Sequence, residues 1–383
     1  ERVIVWGSRA TLEWLAPRPW LTKANCAELE GSAAAQIFWR RRILPALART
    51  ECDLLFAPGG LCTDRFHPVV TMSRNMLPFQ CREALRYGPS AMLARLALLR
   101  CLQQRSFRKA DGVIFLSQFA QDTVLGTTGP LPGRTTVIPH GVAEPFFHAP
   151  RRQRSLSDYS ADRPMRILYV SIVDVYKHQW HVAEAVARLR CEGVPIAIEF
   201  VGDSYPKAGR RLRNALQRLD PQQAFLTVRE AADHADLPQR YHAADFFVFA
   251  SSCENLPNIL LEAMAAGLPI ATSSCGPMLE ILGASGLYFE PLESESIAKA
   301  LRRLADDADL RGRLAAGAYA RAGQFSWEQC AQSTFRFLAS VLEETRRPMN
   351  SLRSSITSGD QYQNKQSPTH ACVLDQTGSG HQR

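Results

Sequence analysis

The amino-acid sequence predicts an α/β protein of two Rossmann-like domains that face each other across a cleft. Short apolar runs alternate with helical stretches along most of the 383 residues, a pattern typical of parallel sheets joined by right-handed crossovers. A polar, proline-containing linker at residues 146–165 divides this alternation into two series. At roughly 100–200 residues per domain, the length also suits two domains.

The first series defines an N-terminal domain over residues 1–145. Its predicted strands are the apolar runs at 3–6, 54–57, 69–72, 112–116 and 135–138. Its predicted helices cover 28–47, 91–105 and 119–123. The chain opens on Glu1 and enters a strand at once, so we expect this domain to be truncated at its N-terminus.

The second series defines a C-terminal domain over residues 166–325. Its predicted strands cover 166–173, 196–201, 224–229, 246–250 and 270–272, and its helices cover 178–191, 206–218 and 237–243, with a further helix that begins near Pro257. A closing helix is predicted at 326–347. The last residues, 348–383, are too polar to bury a core and are predicted to form a disordered tail.

The composition is that of a globular protein, with 46% hydrophobic and 21% charged residues, and the cysteines lead us to expect a cytoplasmic location. No run of about 18 apolar residues occurs, so no membrane span is predicted, and no signal peptide opens the chain. The ten cysteines include no Cys-x-x-Cys pair, which favours reduced, buried thiols over disulfides or a zinc site.

Positive charge is concentrated in the first 150 residues, which hold 18 Lys/Arg against 11 Asp/Glu. Between Arg82 and Lys109 the basic residues interleave with apolar ones in the pattern of an amphipathic helix. Such a face can contact the cytoplasmic side of an anionic membrane or attract an anionic substrate. The alternative is a helix that packs on the core and keeps its arginines in water. No nucleic-acid partner is predicted.

The most informative segment, residues 251–270, holds two carboxylates, Glu254 and Glu262, at a junction between loop and helix. Pro257 suits the first turn of that helix, because its missing N–H would be unpaired there. Free backbone N–H groups at the helix start bind phosphate; here they would belong to Leu256, Asn258 and Ile259. Glu254 could accept hydrogen bonds from sugar hydroxyls and Glu262 from a ribose. Either carboxylate alone would more often be a solvated or ion-paired glutamate, but the pair suits a nucleoside diphosphate sugar.

The segment resembles the Glu-x7-Glu signature of glycosyltransferase family 4, a family of retaining enzymes with the two-domain GT-B architecture. Similar motifs flank it on both sides. Residues 136–142 resemble the family's Ile-Pro-Asn-Gly-Val hinge, and residues 170–178 resemble its Val-Gly-Arg-Leu-x-x-x-Lys-Gly motif. Further similar segments are found at 200–203, 237–245, 274–280 and 325–327. Together these matches cover roughly residues 110–345.

The resemblance implies a hexosyltransferase that uses a nucleoside diphosphate sugar and requires neither a metal ion nor another cofactor. It implies that Lys177 and Glu254 carry catalysis, with the Lys177 ammonium on the donor diphosphate. The donor-binding residues that it implies are Gly202, Glu230, Asn255, Leu256, Pro257, Asn258 and Glu262. The basic amphipathic segment, rather than the resemblance, suggests a glycan or lipid-linked acceptor, as in cell-surface polysaccharide synthesis.

The sequence departs from the family pattern at several positions. Ile172 stands where the family has an arginine, so one phosphate-binding cation is missing or comes from the basic first domain. His178 replaces a glycine, and His140 replaces the hinge asparagine. In place of a first-domain His-Asp pair the chain has Arg74 and Asn75, and either could lie on the acceptor side of the cleft.

Other classes of function share this architecture. A sugar-nucleotide epimerase or a phosphorylase would have the same sheets and cleft, and an epimerase would convert the donor with no acceptor present. A non-catalytic sugar-nucleotide-binding module would keep the cleft without turnover, because a fold alone does not fix function.

Overall fold

A computed structural model describes residues 2–62, 65–230, 233–354 and 370–374. It contains two parallel sheets, each packed against helices, in two domains that meet at a cleft. The predicted α/β architecture of two Rossmann-like domains is therefore confirmed.

The first sheet has seven parallel strands. They are β1 (Arg2–Gly7), β2 (Leu21–Asn25), β3 (Leu54–Ala57), β4 (Val69–Met72), β5 (Gly112–Phe115), β6 (Arg134–Val137) and β13 (His370–Leu374). Their order is β2-β1-β13-β3-β4-β5-β6. β3, β4 and β5 are buried throughout, which explains why their continuous apolar runs were recognisable. β2 was not predicted, because it is a half-exposed edge strand with polar residues.

The helices of the first domain differ in length from those predicted, since α5 and α6 are longer than expected and the first predicted helix is divided. They are α1 (Arg9–Glu13), α2 (Ala33–Phe38), α3 (Leu44–Glu51), α4 (Cys81–Ala84), α5 (Ala91–Lys109) and α6 (Gln118–Thr128). The single helix expected at 28–47 is wrong, because the Ser32 hydroxyl caps a new helix and a π-helical turn at Trp39–Ile43 separates α2 from α3. The stretch from Arg82 to Lys109 is likewise not one helix, because Gly88 takes a φ of 63° before α5 begins.

The second sheet has six parallel strands. They are β7 (Met165–Val170), β8 (Ile196–Val201), β9 (Leu226–Arg229), β10 (Phe246–Phe249), β11 (Ile270–Ser273) and β12 (Leu287–Phe289), in the order β12-β11-β10-β7-β8-β9. The direction of winding reverses between β7 and β10, which are hydrogen-bonded neighbours. Ligands of doubly wound sheets bind at this switch point, beyond the carboxyl ends of the strands.

The helices of the second domain flank this sheet. They are α7 (Gln179–Cys191), α8 (Pro206–Leu219), α9 (Leu237–Ala243), α10 (Asn258–Ala265), α11 (Met278–Leu282), α12 (Ser294–Asp306), α13 (Ala308–Ala322) and α14 (Trp327–Ser354). The last of these returns to the first domain, where Phe337 and Val341 lie so close to Gly112 that a Cβ there would meet them at 3.0 Å. Arg346 of α14 also pairs with Asp53.

The prediction of a disordered tail over 348–383 is wrong for two segments. Residues 348–354 continue α14, and residues 370–374 form β13, which pairs in parallel with β1 and β3. A polar composition does not reveal a strand whose neighbours lie far away in the chain. The rest of the tail lies outside the described residues.

The linker at 146–165 packs tightly on the second domain. Asp245 of the second domain anchors the linker. The Asp245 carboxylate accepts hydrogen bonds from the Tyr159 hydroxyl at 2.9 Å, from Arg154 at 3.3 Å and from the Arg166 backbone N–H at 2.8 Å. The 3₁₀ turn at Leu156–Asp158 carries a capping box that starts on Ser155. The linker therefore holds a defined position.

The cysteines differ from the predicted set of reduced, buried thiols. Cys81, Cys101 and Cys191 are free but exposed, because each lies on the outer face of a helix, and Cys52 is disulfide-bonded. The buried free thiols in the described ranges are those of Cys26 and Cys253. Within the same ranges, no helix has both the length and the apolar character needed to cross a bilayer.

Replacing Arg311 by methionine should destabilise the second domain by about 3 kcal/mol. The Arg311 side chain is fully buried and donates to the carbonyl oxygens of Leu304, Ala305 and Arg154, so the variant leaves buried acceptors unpaired. Urea unfolding measures the change. Arg313→Met, at an exposed position of the same helix, is the matched control, and an equal effect of the two substitutions would contradict this role of Arg311.

Candidate functional site

A cavity of about 340 Å³ lies between the domains at the switch point of the second sheet. Residues of both domains line it: Arg74, Leu116 and His140 from the first, and Ser171, Ile172, Lys177 and Glu254–Ile259 from the second. The structure thus brings together most of the predicted site residues, although they are far apart in the sequence.

Lys177 and Glu254 form an ion pair at the centre of this cavity wall. The Lys177 ammonium donates to a Glu254 carboxylate oxygen, and the two side chains are only 7% and 13% exposed. The Lys177 nitrogen also lies 5.1 Å from the ring centroids of Tyr176 and Phe249. Because water is largely excluded, each charge is compensated mainly by the other until a charged ligand enters.

Tyr169, in β7, holds together the two loops that carry this ion pair. Its hydroxyl donates to the backbone oxygen of Lys177 and accepts from the backbone N–H of Ala250 at 3.2 Å. Complete burial raises the pKa of Tyr169 well above its usual value, so the hydroxyl remains a donor. Sequence reasoning missed this residue, whose only signal is a polar group in a buried strand.

The start of α10 lies slightly later than predicted. Pro257 is the N-cap, with an extended backbone, and the first helical residue is Asn258. The N–H groups of Asn258 and Ile259 fall in the first turn, where a helix provides no internal acceptor. Both residues line the cavity, so the amide donors expected from the sequence are present beside the ion pair.

Asn255 and Glu280 fix the second domain against the first. The Asn255 amide donates to the Ser73 backbone oxygen at 2.8 Å, and the Ser117 hydroxyl donates to the Asn255 backbone oxygen at 2.8 Å. The Glu280 carboxylate accepts from the backbone N–H groups of residues 118 and 119, at 2.7 and 2.9 Å, where α6 begins. Carboxylates at a helix start are favoured by the helix dipole.

Arg74 and His140 face the second domain across the cavity. The Nδ1 atom of His140 lies 3.3 Å from the side-chain oxygen of Asn258, and the His140 ring stacks on Trp327. Burial lowers the pKa of His140, and the nearby positive charge of Arg74 lowers it further. Asn75, the alternative to Arg74, does not line the cavity; its side-chain oxygen accepts from the backbone N–H of Leu77 in a turn.

Three predicted donor-binding residues lie outside the cavity. Glu262 is buried in α10 and accepts a hydrogen bond from the Tyr241 hydroxyl at 3.0 Å. Gly202 and Glu230 line a separate cavity of about 450 Å³ against α8. Gly202 has a φ of 142°, and a Cβ there would lie 2.3 Å from the backbone oxygen of Ser171, which lines the interdomain cavity.

His178 occupies a strained backbone position. Its backbone is left-handed, with φ 53° and ψ 28°, immediately before α7. Its Nε2 lies 2.8 Å from the Ser252 hydroxyl, which in turn donates to Glu83 of the first domain. Burial is the main cause that lowers the pKa of His178 to about 3. The histidine is therefore a neutral hydrogen-bonding partner next to Lys177.

The fold is that of a two-domain α/β protein with a cavity between its domains, at the switch point of the second sheet. Residues 164–307, most of that domain, match the family described as Glycosyl transferases group 1. Glycogen synthase of Mycobacterium tuberculosis is 27% identical over 302 residues, which cover 77% of this chain and 69% of that enzyme. The similarity to group 1 glycosyltransferases thus lies mainly in the second domain.

Solved structures show the same architecture. Sucrose-phosphate synthase from Thermosynechococcus elongatus superposes with a TM-score of 0.68 over 86% of each chain, at 20% identity. The Anabaena protein HepE, in complex with UDP-glucose, superposes with a TM-score of 0.64 over 88% of this chain and 99% of that chain, at 18% identity. The fold is that of the GT-B glycosyltransferases.

The pH dependence of stability should reveal the buried His178. Because its folded pKa of about 3 is lower than its ordinary value of about 6.5, the unfolded chain binds the proton first, and stability falls as the pH drops below 6.5. Between pH 6.5 and 5, wild type should lose about 1.5 kcal/mol more than His178→Asn, in which asparagine tolerates the left-handed backbone. Urea unfolding at both pH values measures this difference, and parallel curves would contradict it.

Proposed function

We propose that this protein transfers a hexosyl unit from a nucleoside diphosphate sugar to a glycan or lipid-linked acceptor, with retention of anomeric configuration. The observation that carries the proposal is the buried pair of Lys177 and Glu254 beside the start of α10, in a cavity between two Rossmann-like domains. The group 1 match and the relationship to glycogen synthase support the transferase class. The UDP-glucose bound by HepE favours a uridine nucleotide as donor.

Three sources of positive charge converge on the place proposed for the diphosphate. Lys177 and Arg74 line the cavity from opposite domains, and Asn258 and Ile259, in the first turn of α10, line it as well. A helix N-terminus adds about half a positive charge. Arg74 would thus supply the cation that Ile172 cannot, and the nucleoside would extend towards Gly202.

Glu254 would hold the sugar hydroxyls once the phosphates attract Lys177. In the proposed step, the acceptor hydroxyl oxygen forms a bond to the anomeric carbon on the face from which the diphosphate leaves. The bond from that carbon to the phosphate oxygen breaks, and the acceptor's proton passes to that oxygen. The protein contributes mainly positioning and stabilisation of the leaving charge. The proposal calls for neither a metal ion nor another cofactor.

A double displacement like that of retaining glycosidases is the less favoured route. It needs a carboxylate that attacks from the opposite face. Among the described residues that line the cavity, Glu254 is the one carboxylate, and it is already paired with Lys177.

The biological setting belongs to the same proposal. Lipid-linked acceptors of cell-surface polysaccharides would bring the protein to the cytoplasmic face of the membrane. An epimerase, a phosphorylase or a non-catalytic binding module would use the same cleft. Incubation with donor alone identifies an epimerase, because it would convert the donor, whereas the transferase requires an acceptor.

Lys177→Ala and Glu254→Gln should each lower turnover at least about tenfold, because each removes a group that binds the charge or the sugar in the transition state. Release of nucleoside diphosphate in the presence of acceptor measures turnover. Lys299→Ala, at an exposed position of α12, is the control for loss of a lysine. Circular dichroism verifies that both variants are folded. Unchanged turnover in either folded variant would contradict the catalytic role proposed for that residue.

Donor binding should be visible as thermal stabilisation across a panel of nucleoside diphosphate sugars. A donor at 100 times its dissociation constant should stabilise the protein by about 2.7 kcal/mol. Arg74→Gln should weaken donor binding about tenfold, because a charge-assisted hydrogen bond is lost. Arg95→Gln, on the exposed side of α5, is the matched control. An Arg74 variant that binds the donor as tightly as wild type would exclude Arg74 from the diphosphate site.

A further inference from the structure

Residues 83–87 of the first domain contact both loops that carry the ion pair of Lys177 and Glu254. The segment comprises the last residues of α4 and the 3₁₀ turn Leu85–Tyr87. One loop follows β7 and holds Lys177, and the other follows β10 and holds Glu254. Among the described residues that line the interdomain cavity, none belongs to the 83–87 segment. The segment can therefore affect a ligand in the cavity through the two loops that it contacts.

Tyr87 anchors the loop of Lys177. Its hydroxyl donates to a carboxylate oxygen of Asp174 at 2.7 Å, and burial raises the pKa of Tyr87 well above its usual value, so the hydroxyl remains a donor. The other carboxylate oxygen of Asp174 accepts from the backbone N–H of Val175 at 2.7 Å. The backbone oxygen of Asp174 accepts from the N–H of Lys177 at 3.1 Å. A single turn thus links the Tyr87 hydroxyl to Lys177.

Glu83 anchors the loop of Glu254. The Glu83 carboxylate is buried and accepts a hydrogen bond from the hydroxyl of Ser252, two residues before Glu254. It also accepts from Arg86 at 2.7 and 3.2 Å, so its charge is compensated within the segment. The backbone N–H of Ser252 donates to the backbone oxygen of Tyr176 at 2.9 Å, which joins the two loops. A buried carboxylate loses much by giving up a donor, and Glu83 therefore favours this one position of Ser252.

Each loop also packs an apolar group on the core of the first domain. Cys253 is 3% exposed and belongs to an apolar cluster whose other buried members all come from the first domain. The half-buried Tyr176 packs against the same cluster. Both residues lie next to a charged residue of the site, since Cys253 precedes Glu254 and Tyr176 precedes Lys177. The two loops are thus held by the first domain through apolar as well as polar contacts.

We propose that Tyr87 and Glu83 are positioning residues, which hold the two loops so that Lys177 and Glu254 meet the donor in the geometry that the transfer requires. Because both loops are anchored to one short segment, the distance between them is set from the first domain. A displacement of about 1 Å at the reacting groups can lower a rate about 100-fold. The consequence for turnover rests on the proposed function, whereas the anchoring itself can be measured without turnover.

Acetylation of lysine amines in the full chain, measured by peptide mass spectrometry, tests the anchoring. The Lys177 side chain is 7% exposed, and that of Lys299 is 74% exposed and provides an internal reference. Tyr87→Phe should raise the acetylation rate of Lys177 relative to Lys299 about fivefold, the factor that corresponds to one hydrogen bond. Tyr319→Phe, in α13 and outside the cavity wall, is the matched control for loss of a tyrosine hydroxyl and should leave the ratio unchanged.

Turnover provides the second readout. Tyr87→Phe and Glu83→Ala should each lower kcat about tenfold and change the KM for the donor less than about twofold, because the groups proposed to touch the donor are still present. Glu83→Gln should recover most of this loss, since its side-chain oxygen can still accept from the Ser252 hydroxyl. Circular dichroism verifies that each variant is folded.

The other outcomes separate this proposal from the proposed function. An unchanged ratio of Lys177 to Lys299 acetylation in Tyr87→Phe would overturn the positioning role, and so would a raised ratio with unchanged kcat. A raised KM with wild-type kcat would indicate weaker donor binding and would overturn it as well. A raised ratio in a protein that shows no turnover would support the anchoring of the ion pair by Tyr87 and would contradict the proposed function instead.

Discussion

The ion pair of Lys177 and Glu254 is the interaction on which the rest of the site depends. Each residue comes from the loop after one of two neighbouring strands, β7 and β10, and Tyr169 ties the two loops together beneath the pair. Removing one partner of a buried pair leaves a charge that nothing compensates. A ligand can therefore separate Lys177 from Glu254 only if it offers a new anion to the lysine and new donors to the carboxylate. A sugar diphosphate offers both, because its phosphates are negative and its hydroxyls donate.

The first domain takes part in building this site. Asn255, the residue after Glu254, is held by hydrogen bonds to Ser73 and Ser117 of that domain. The loop that carries Lys177 is held in a similar way, because the Tyr87 hydroxyl donates to Asp174 at 2.7 Å. Burial raises the pKa of Asp174 even though this bond opposes the shift. The position of both charged residues is thus coupled to the contact between the domains.

The sequence was sufficient to predict those features that have a local cause. Continuous apolar runs revealed the buried strands, and an acidic loop before a proline-started helix revealed Glu254 and the amide donors of α10. It was not sufficient where a contact joins distant segments: the hydroxyl of Tyr169 between two loops, the Glu280 carboxylate at the start of α6, and β13 between two strands of the first sheet. No local pattern encodes such a partner. The later start of α10 has a local cause, since Pro257 is extended and so caps the helix from outside.

The residues at positions 172, 74 and 178 bear on how the proposed site would be assembled. With isoleucine at position 172, the second domain contributes Lys177 as its cation in the cavity, and Arg74 contributes a second one from the other domain. A diphosphate would then meet its full complement of positive charge only when the domains are in contact. The negative charge on the leaving diphosphate would therefore be fully stabilised only when the cleft closes. His178 takes part in the contact between the domains, because it is linked through Ser252 to Glu83 of the first domain. Since His178 is neutral, it adds no second positive charge beside Lys177 that would compete for the phosphates of the proposed donor.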